Sequence, residues 1–262
     1  MRIFIITQNA PMYMAGFLDD FLDLADNTPH KVVGITSLSP IFNNSVFQEF
    51  KSRLDFYGLV DFLKMAFLIT WNKLLSYVFY LSPSIGCYSV NNVIKKYGLK
   101  ELKTTSINSN AFVEFIKEAK IDLILSIASS QILKQDLLNA PQKGSINYHT
   151  ALLPKYRGRQ PLFWALLNGE KEVGISVHEM DEKLDNGPII VQKKINVNSR
   201  DSLHSIYLKT LKVGPELILE AIEKIARGDK DRIENDPDRA TYNSFPTRED
   251  AKSFKKRGKR FF

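Results

Sequence analysis

The sequence predicts an α/β fold in which a mostly parallel sheet carries flanking helices. Three observations predict it. Arg2–Thr7 is an apolar, β-branched and aromatic run closed by Gln8-Asn9-Ala10-Pro11, the pattern of a buried strand. Phe17, Leu18, Phe21, Leu22 and Leu24 then recur at helical spacing, with Asp19, Asp20 and Asp23 between them, and Lys31–Thr36 reads as a second strand. A strand, a helix and a strand in that order make a crossover, whose helix covers one face of a parallel sheet. The same alternation resumes after Lys95 and runs to a long last helix.

Between these parts lies a stretch of different character. From about 46 to 94 the chain is rich in Phe, Leu and Tyr, with the runs Phe62–Ile69 and Leu74–Leu81. Lys64 and Lys73 interrupt it, so no clean apolar run of about 20 residues spans a bilayer. It is read as a two-helix insertion packing on the domain or on a second subunit, which makes a homodimer possible. A membrane is not an expected partner.

Beyond it, Phe112, Phe115 and Ile116 mark a helix to Lys120, and Asp122–Ile127 a strand. A short helix at Leu133–Leu138 and a strand at Ser145–Tyr148 follow, then a helix at Pro161–Asn168. Strands at Gly174–Glu179 and Pro188–Val197 precede a long amphipathic helix, Leu203–Ala226, ending near Gly228. The catalytic domain is therefore expected to span 1–228, with 229–262 as a polar, basic C-terminal extension.

The 262 residues suffice for one large domain with a small appendage. The single cysteine, Cys87, excludes an internal disulfide and fits a reducing, cytoplasmic setting. The N-terminus is too short and too strand-like for a signal peptide. A net charge of +7 suits an anionic ligand and is too weak to argue for nucleic acid. Part of the excess is local: Arg248–Phe262 holds seven Lys/Arg against Glu249 and Asp250. That tail is either a solvated terminus or a phosphate-facing patch. No G-x-G-x-x-G follows the first strand and no G-x-x-x-x-G-K-[ST] occurs, so dinucleotide and P-loop chemistry are unsupported.

The informative segment is Gly144-Ser-Ile-Asn147-Tyr-His149-Thr-Ala-Leu-Leu-Pro154-Lys-Tyr-Arg157-Gly158. A strand delivers Asn147 and His149 to the same side, and Leu-Leu-Pro breaks it at its carboxyl end. In open parallel sheets ligands bind there. Downstream, Gly174–Glu179 leads into an acidic loop that turns at Asp185-Asn186-Gly187. The three side chains suit acyl transfer to nitrogen. The Asn147 amide can donate to an acyl oxygen as it becomes an oxyanion. The His149 imidazole can take the amine's proton. The Asp185 carboxylate can orient that imidazole, raise its pKa and hold a water. No G-x-S-x-G elbow supplies a nucleophile. Each residue also has a structural reading: Asn147 as a strand end, His149 as a core histidine, Asp185 as turn chemistry.

These segments resemble the formyltransferases that use 10-formyltetrahydrofolate, a family covering glycinamide ribonucleotide, methionyl-tRNA and sugar N-formyltransferases. Its pattern is Asn-x-His, a Leu-Leu-Pro-x-Tyr/Trp-Arg-Gly-like run, and a Leu/Ile-Asp-x-Gly loop. The chain has Asn147-Tyr-His149, Leu152–Gly158 and Leu184-Asp185-Asn-Gly187, and the likeness runs from about Asp122 to Ile195. It implies a Rossmann-like formyltransferase fold and direct transfer through a tetrahedral intermediate, with no metal. By family roles Asn147 and His149 polarise the formyl group and Asp185 serves proton transfer. The 10-formyltetrahydrofolate is expected between Ser129–Leu133 (Ser129, Gln131, Ile132, Leu133) and the turn holding His178, Met180 and Asp181. Tyr156, Arg157 and Arg159 are expected at the acceptor, the arginines toward phosphate. His178 is expected to support the site; His30 and His204 are read as surface residues. The family's Ser before Leu-Leu-Pro is Ala151 here, and Ala128-Ser-Ser-Gln131 differs from the usual Gly-containing forms.

Tyr156-Arg-Gly followed by Pro161-Leu-Phe-Trp164 looks more like the sugar enzymes, so the expected acceptor is a nucleotide-linked amino sugar, a small-molecule amine. The transfer-RNA enzymes carry a further C-terminal barrel for which a chain ending at Phe262 has no room, making an enzyme of that type without its barrel the alternative. A formyl-folate hydrolase is a second alternative, though its usual N-terminal regulatory domain would have to precede a strand that begins at Arg2. A non-catalytic binding protein would be expected to lack one of Asn147, His149 or Asp185.

Overall fold

The computed structural model describes residues 1–10, 12–39, 46–79 and 86–262. Its centre is a seven-stranded sheet of β1 (Arg2–Gln8), β2 (Lys31–Leu38), β3 (Lys100–Glu101), β4 (Leu123–Ile127), β5 (Ser145–His149), β7 (Glu172–Glu179) and β8 (Ile189–Asn196), in the order β3-β2-β1-β4-β5-β7-β8. The pairs from β3 to β5 are parallel, while β5–β7 and β7–β8 are antiparallel. The mostly parallel α/β expectation holds. The chain leaves β1 toward β2 on one side and toward β4 on the other, so the sheet reverses direction at β1, where open sheets form ligand crevices.

The buried strands read as apolar because both faces are covered. On one face α1 (Met14–Asp26) and α8 (Leu203–Ala226) pack Phe17, Leu18, Phe21, Leu217, Ile218 and Ile222 against Ile3, Ile5 and Leu125. On the other, α5 (Asn110–Glu118) and α6 (Gln135–Leu138) pack Phe112, Ile116 and Leu137 against Phe4, Ile6 and Ile124. The serine caps on α5 and α8 are locally written: Ser109 accepts from Phe112 N, and Ser202 forms a capping box with Ser205.

The aromatic stretch forms α2 (Val46–Tyr57) and α3 (Leu59–Val78), with Gly58 at φ 74° between them. Two helices were expected, but the break falls at Gly58. Phe62–Ile69 and Leu74–Tyr77 therefore lie on one helix, and the part of the second run beyond Phe79 is outside the described residues, as is Pro11 after β1. The insertion also ends earlier than 94: α4 (Val90–Lys96) belongs to the main core, burying Val90 and Val93. No helix among the described residues is long and apolar enough to cross a membrane.

The polar, basic extension at 229–262 packs onto the rest of the chain. A second small sheet joins β6 (Arg157–Gly158) to β9 (Tyr242–Asn243). Helix α9 (Arg248–Lys256) buries Ala251 and Phe254, and Phe261 is buried with them, in a cluster with Phe56 and with Phe163 of α7 (Pro161–Leu167). The tail's basic side chains point outward from this apolar seam. Two histidines read as surface residues are not: His30 is buried and bonded to Glu223, and His204 is half-buried against the Tyr13 hydroxyl.

Candidate active site

Strand β5 separates its side chains by alternation. Ile146 and Tyr148 face the main core, Tyr148 against Phe17 with its hydroxyl donating to Thr210 O. Asn147 and His149 face the opposite side. The antiparallel neighbour β7 sets His178 beside Asn147 and Ser176 beside His149. The loop after β7 then returns Asp185 over this pair. Sequence reasoning named all three candidate catalytic residues, and the fold brings them into one buried cluster in which His149 is 7% and Asp185 8% exposed.

The hydrogen bonds fix proton positions. His178 Nδ1 lies 2.7 Å from Glu179 O. A carbonyl only accepts, so Nδ1 carries the hydrogen and Nε2 is bare. That bare nitrogen accepts from Asn147 Nδ2 at 3.2 Å, and the same Nδ2 donates to Asp185 Oδ1 at 3.3 Å. His178 thus orients the Asn147 amide, as a supporting residue. Both Asn147 N–H groups are committed in this arrangement, through long bonds, so donation to an acyl oxygen requires one of them to be released.

His149 differs from expectation. Its Nε2 donates to Tyr156 O at 3.0 Å and lies 3.8 Å from Asp185 Oδ2, too far for a hydrogen bond. A backbone carbonyl, not the carboxylate, orients the ring and leaves Nδ1 as the proton-accepting nitrogen. Burial pushes the His149 pKa below its ordinary value of 6.5, and the raising effects of Asp185 and Tyr156 O do not overcome it. The expected rise is therefore reversed, and the ring is neutral at pH 7.

Asp185 is held on every side. Its Oδ2 accepts from Gly158 N at 2.8 Å. Burial works against its ionisation, but the His149 and His178 rings and the Gly158 N–H outweigh burial and hold it at about 2. Its backbone adopts φ 49°, and Tyr156 sits at φ 61°. Left-handed conformations of non-glycine residues cost about 1 kcal/mol or more and persist where surroundings impose them. The imposing contacts are visible. Gly187 lies so close to Glu179 O that a Cβ would sit 2.0 Å from it, and one on Gly158 would sit 2.3 Å from Asn243 O. The loop after β5 is braced by Ser176, which donates to Ala151 O and accepts from Leu153 N and Gln192 Nε2.

The most consequential residue missed by sequence reasoning is Asn235. Its Nδ2 donates to Asp185 O and Gly187 O, both at 2.9 Å, and its Oδ1 accepts from Arg157 Nη2 at 2.7 Å. It ties the Asp185 loop to β6. No motif surrounds it, so no local signal announces it. Thr241 adds to this frame by accepting from Tyr156 N.

Arg157 therefore does not face an acceptor phosphate. It is fully buried, donating to Asn186, Tyr242 and Asn235, and it holds the site together. The Tyr156 side chain is likewise turned away, its hydroxyl donating to Glu170. Only Arg159 of the three expected acceptor residues is exposed, its guanidinium over Phe245 at 5.8 Å.

The expected folate loops lie beyond β4 and β7. Gln131 is occupied as a brace: its side chain accepts from Ile107 N and donates to Thr105 O, while Ser129 donates to Gln131 O. Leu133 is core, and Met180 packs partly against the same cluster. Ile132 is 61% exposed, Asp181 is exposed, and Leu184 is 44% exposed. Exposed apolar side chains on rigidly braced loops fit a flat heteroaromatic ring held by backbone groups and apolar contact.

Comparison with known proteins agrees with this geometry. A family model described as formyl transferase matches residues 86–222, just over half of the chain. A methionyl-tRNA formyltransferase of Kosmotoga olearia is 38% identical over 161 residues, covering 62% of this chain and 52% of that protein. The chain spans about half the length of the curated relatives it matches. Among solved structures, a 4-N formyltransferase from Francisella tularensis has a TM-score of 0.59 at 22% identity, covering 93% of this chain and 76% of that one. An N-formyltransferase from Helicobacter canadensis, in complex with folinic acid and dTDP-3-aminofucose, has a TM-score of 0.57 at 18% identity, covering 93% of this chain and 70% of that one. With the Asn147–His149–Asp185 cluster where β5 ends, these matches establish that the chain belongs to the formyl transferase family.

Proposed function

We propose that this chain transfers the formyl group of 10-formyltetrahydrofolate to an amine, and that the amine belongs to a nucleotide-linked amino sugar. The observation that carries the transfer reading is the convergence of Asn147, His149 and Asp185 in one water-poor cluster. The amine nitrogen attacks the formyl carbon, forming the new C–N bond and a tetrahedral oxyanion. The oxygen draws an Asn147 N–H from its long bond to His178. The neutral His149 ring accepts the proton that the attacking nitrogen loses. Asp185, ionised throughout, stabilises the imidazolium that results. Collapse breaks the bond to N10 of the folate, which takes up a proton, releasing tetrahydrofolate and the formamide. Ile132, Leu184 and the backbone of the two loops would hold the folate.

For the acceptor, the Helicobacter canadensis structure, with its dTDP-3-aminofucose, favours the sugar reading. Arg159 over Phe245 supplies a cation and an aromatic face suited to a nucleotide. One observation favours the second reading, formylation of methionyl-tRNA: the higher sequence identity is to proteins of that name. The test is an acceptor panel. With 10-formyltetrahydrofolate, release of tetrahydrofolate should depend on a nucleotide-linked 3-amino or 4-amino sugar. Activity confined to charged initiator tRNA would replace the sugar reading, and release without any acceptor would indicate a hydrolase.

A further inference from the structure

Helix α3 carries one apolar face inward and another into solvent. Of its residues only Met65 is buried. Val60, Leu63, Phe67, Trp71, Leu74 and Tyr77 are 66, 57, 65, 48, 53 and 61% exposed. At 3.6 residues per turn they form one continuous stripe along a helix about 30 Å long. Together they expose on the order of 800 Å², more than the few hundred Å² usual for a monomer's apolar patch and close to what each partner buries in a standard interface.

We propose that this stripe is a homodimer interface, in which α3 lies antiparallel to α3 of a second copy of the chain across a two-fold axis. The first argument is its spacing. From Val60 the steps to Leu63, Phe67, Trp71 and Leu74 are three, four, four and three residues, and three more reach Tyr77, so the stripe reads nearly alike from either end. A two-fold contact places the same patch against itself, which requires such self-complementarity. Centred between residues 68 and 69, the pairing sets Leu63 against Leu74 of the partner subunit and Val60 against Tyr77 of the partner subunit. Beside the axis Phe67 falls within one residue of facing Trp71 of the partner subunit. Phe67 and Trp71 already stack within one copy, ring centroids 6.2 Å apart and planes 13° from parallel, so the axis would gather four rings.

The second argument is charge. The acid in the first turn of α3, Asp61, is paired with Lys64 and with Lys255 of α9. The stripe itself holds no charge, so two copies meet without repulsion. An anionic lipid surface would call for lysines along the borders of the stripe. On α3 only two lysines border it, Lys64, already paired with Asp61, and Lys73, one turn from Tyr77, fewer than the roughly four to eight basic residues that read as anionic-lipid binding.

The test is mass in solution with the full chain. Light scattering after gel filtration at tens of micromolar should give twice the 30.0 kDa chain mass. Phe67→Glu with Trp71→Glu, both at exposed positions, should halve that mass while circular dichroism is unchanged. A Leu63→Cys, Leu74→Cys double variant should cross-link into a covalent dimer under mild oxidation, because those positions lie too far apart within one helix to bridge each other; buried Cys87 stays in place. A monomeric wild type, a dimer that survives the glutamate pair, or absence of the cross-link would overturn the interface. So would co-flotation of monomeric protein with phosphatidylglycerol vesicles.

Discussion

The β5–β7 site and the α2–α3 hairpin break the usual distribution of residues in opposite directions. At the site, polar and charged groups are buried: His149, His178, Asp185, Arg157 and Asn235 each have 8% or less of their surface exposed. On the hairpin, aromatic and aliphatic side chains stand in water. Buried polar groups and large exposed apolar patches are the two informative departures from an ordinary globule. The first departure is stabilised by satisfaction, since nearly every donor in the cluster has a protein acceptor; among the described residues Arg157 Nε is one of the few buried polar atoms without one. The second has no such internal remedy. The site is thus complete within one copy as a framework, whereas the hairpin leaves its apolar stripe in solvent.

The comparison can be broken most severely at the site. His149→Ala and Asp185→Ala should each lower kcat/KM for formyl transfer on the order of a hundredfold or more, since each removes a group that acts on the moving proton or its charge. Steady-state assays with the active acceptor check this, and near-normal turnover would refute the roles. Next in size, Asn235→Ala should destabilise the fold by about 3 kcal/mol, because it orphans buried Arg157 donors and frees the Asp185 loop. Chemical denaturation reads that loss, and kcat should fall with it even though Asn235 touches no reacting atom.

The pH response sharpens the comparison further. His149 has a folded pKa below its ordinary 6.5, so the unfolded chain binds its proton first, and stability is lost as pH falls below about 6.5. Asp185 acts lower. Its contribution, about 2 kcal/mol, is present above 3.8 and is lost as pH falls toward about 2. Thermal melts from pH 7.5 to 5 should show a declining midpoint, and a His149→Gln variant should flatten that limb. The smallest effect belongs to the hairpin: Leu74→Lys should change the stability of the monomeric chain by no more than about 0.5 kcal/mol. A larger loss would mean that the stripe is covered within one copy.

What the sequence disclosed and withheld follows from the range of the interactions. The placement of Asn147, His149 and Asp185 at strand ends and turns was legible because strand alternation, the Leu-Leu-Pro break and Asp-Asn-Gly are local, but those features left a structural reading open for each, and the family resemblance singled the three out. The strands and the long helix were legible from periodicity. The function of Arg157 was not, because burial is a tertiary property: an arginine in a loop motif looks the same whether it faces solvent or Asn235, 78 residues away. The direction of the His149 pKa was misread for the same reason, since desolvation outweighs a charge that sits 3.8 Å away rather than within bonding distance. The short strands β3, β6 and β9, of two residues each, carry no periodicity to read.

The link from Asn235 to the Asp185 loop, and from β9 to β6, also orders events during synthesis. A nascent chain that has already produced Asn147, His149 and Asp185 still lacks the clamp that holds Asp185 at φ 49°. The ribosome must release a further stretch, through Asn243, before the loop can lock. The cluster therefore matures late, and a chain truncated after Gly228 would keep Asn147, His149 and Asp185 and lose the frame that aims them.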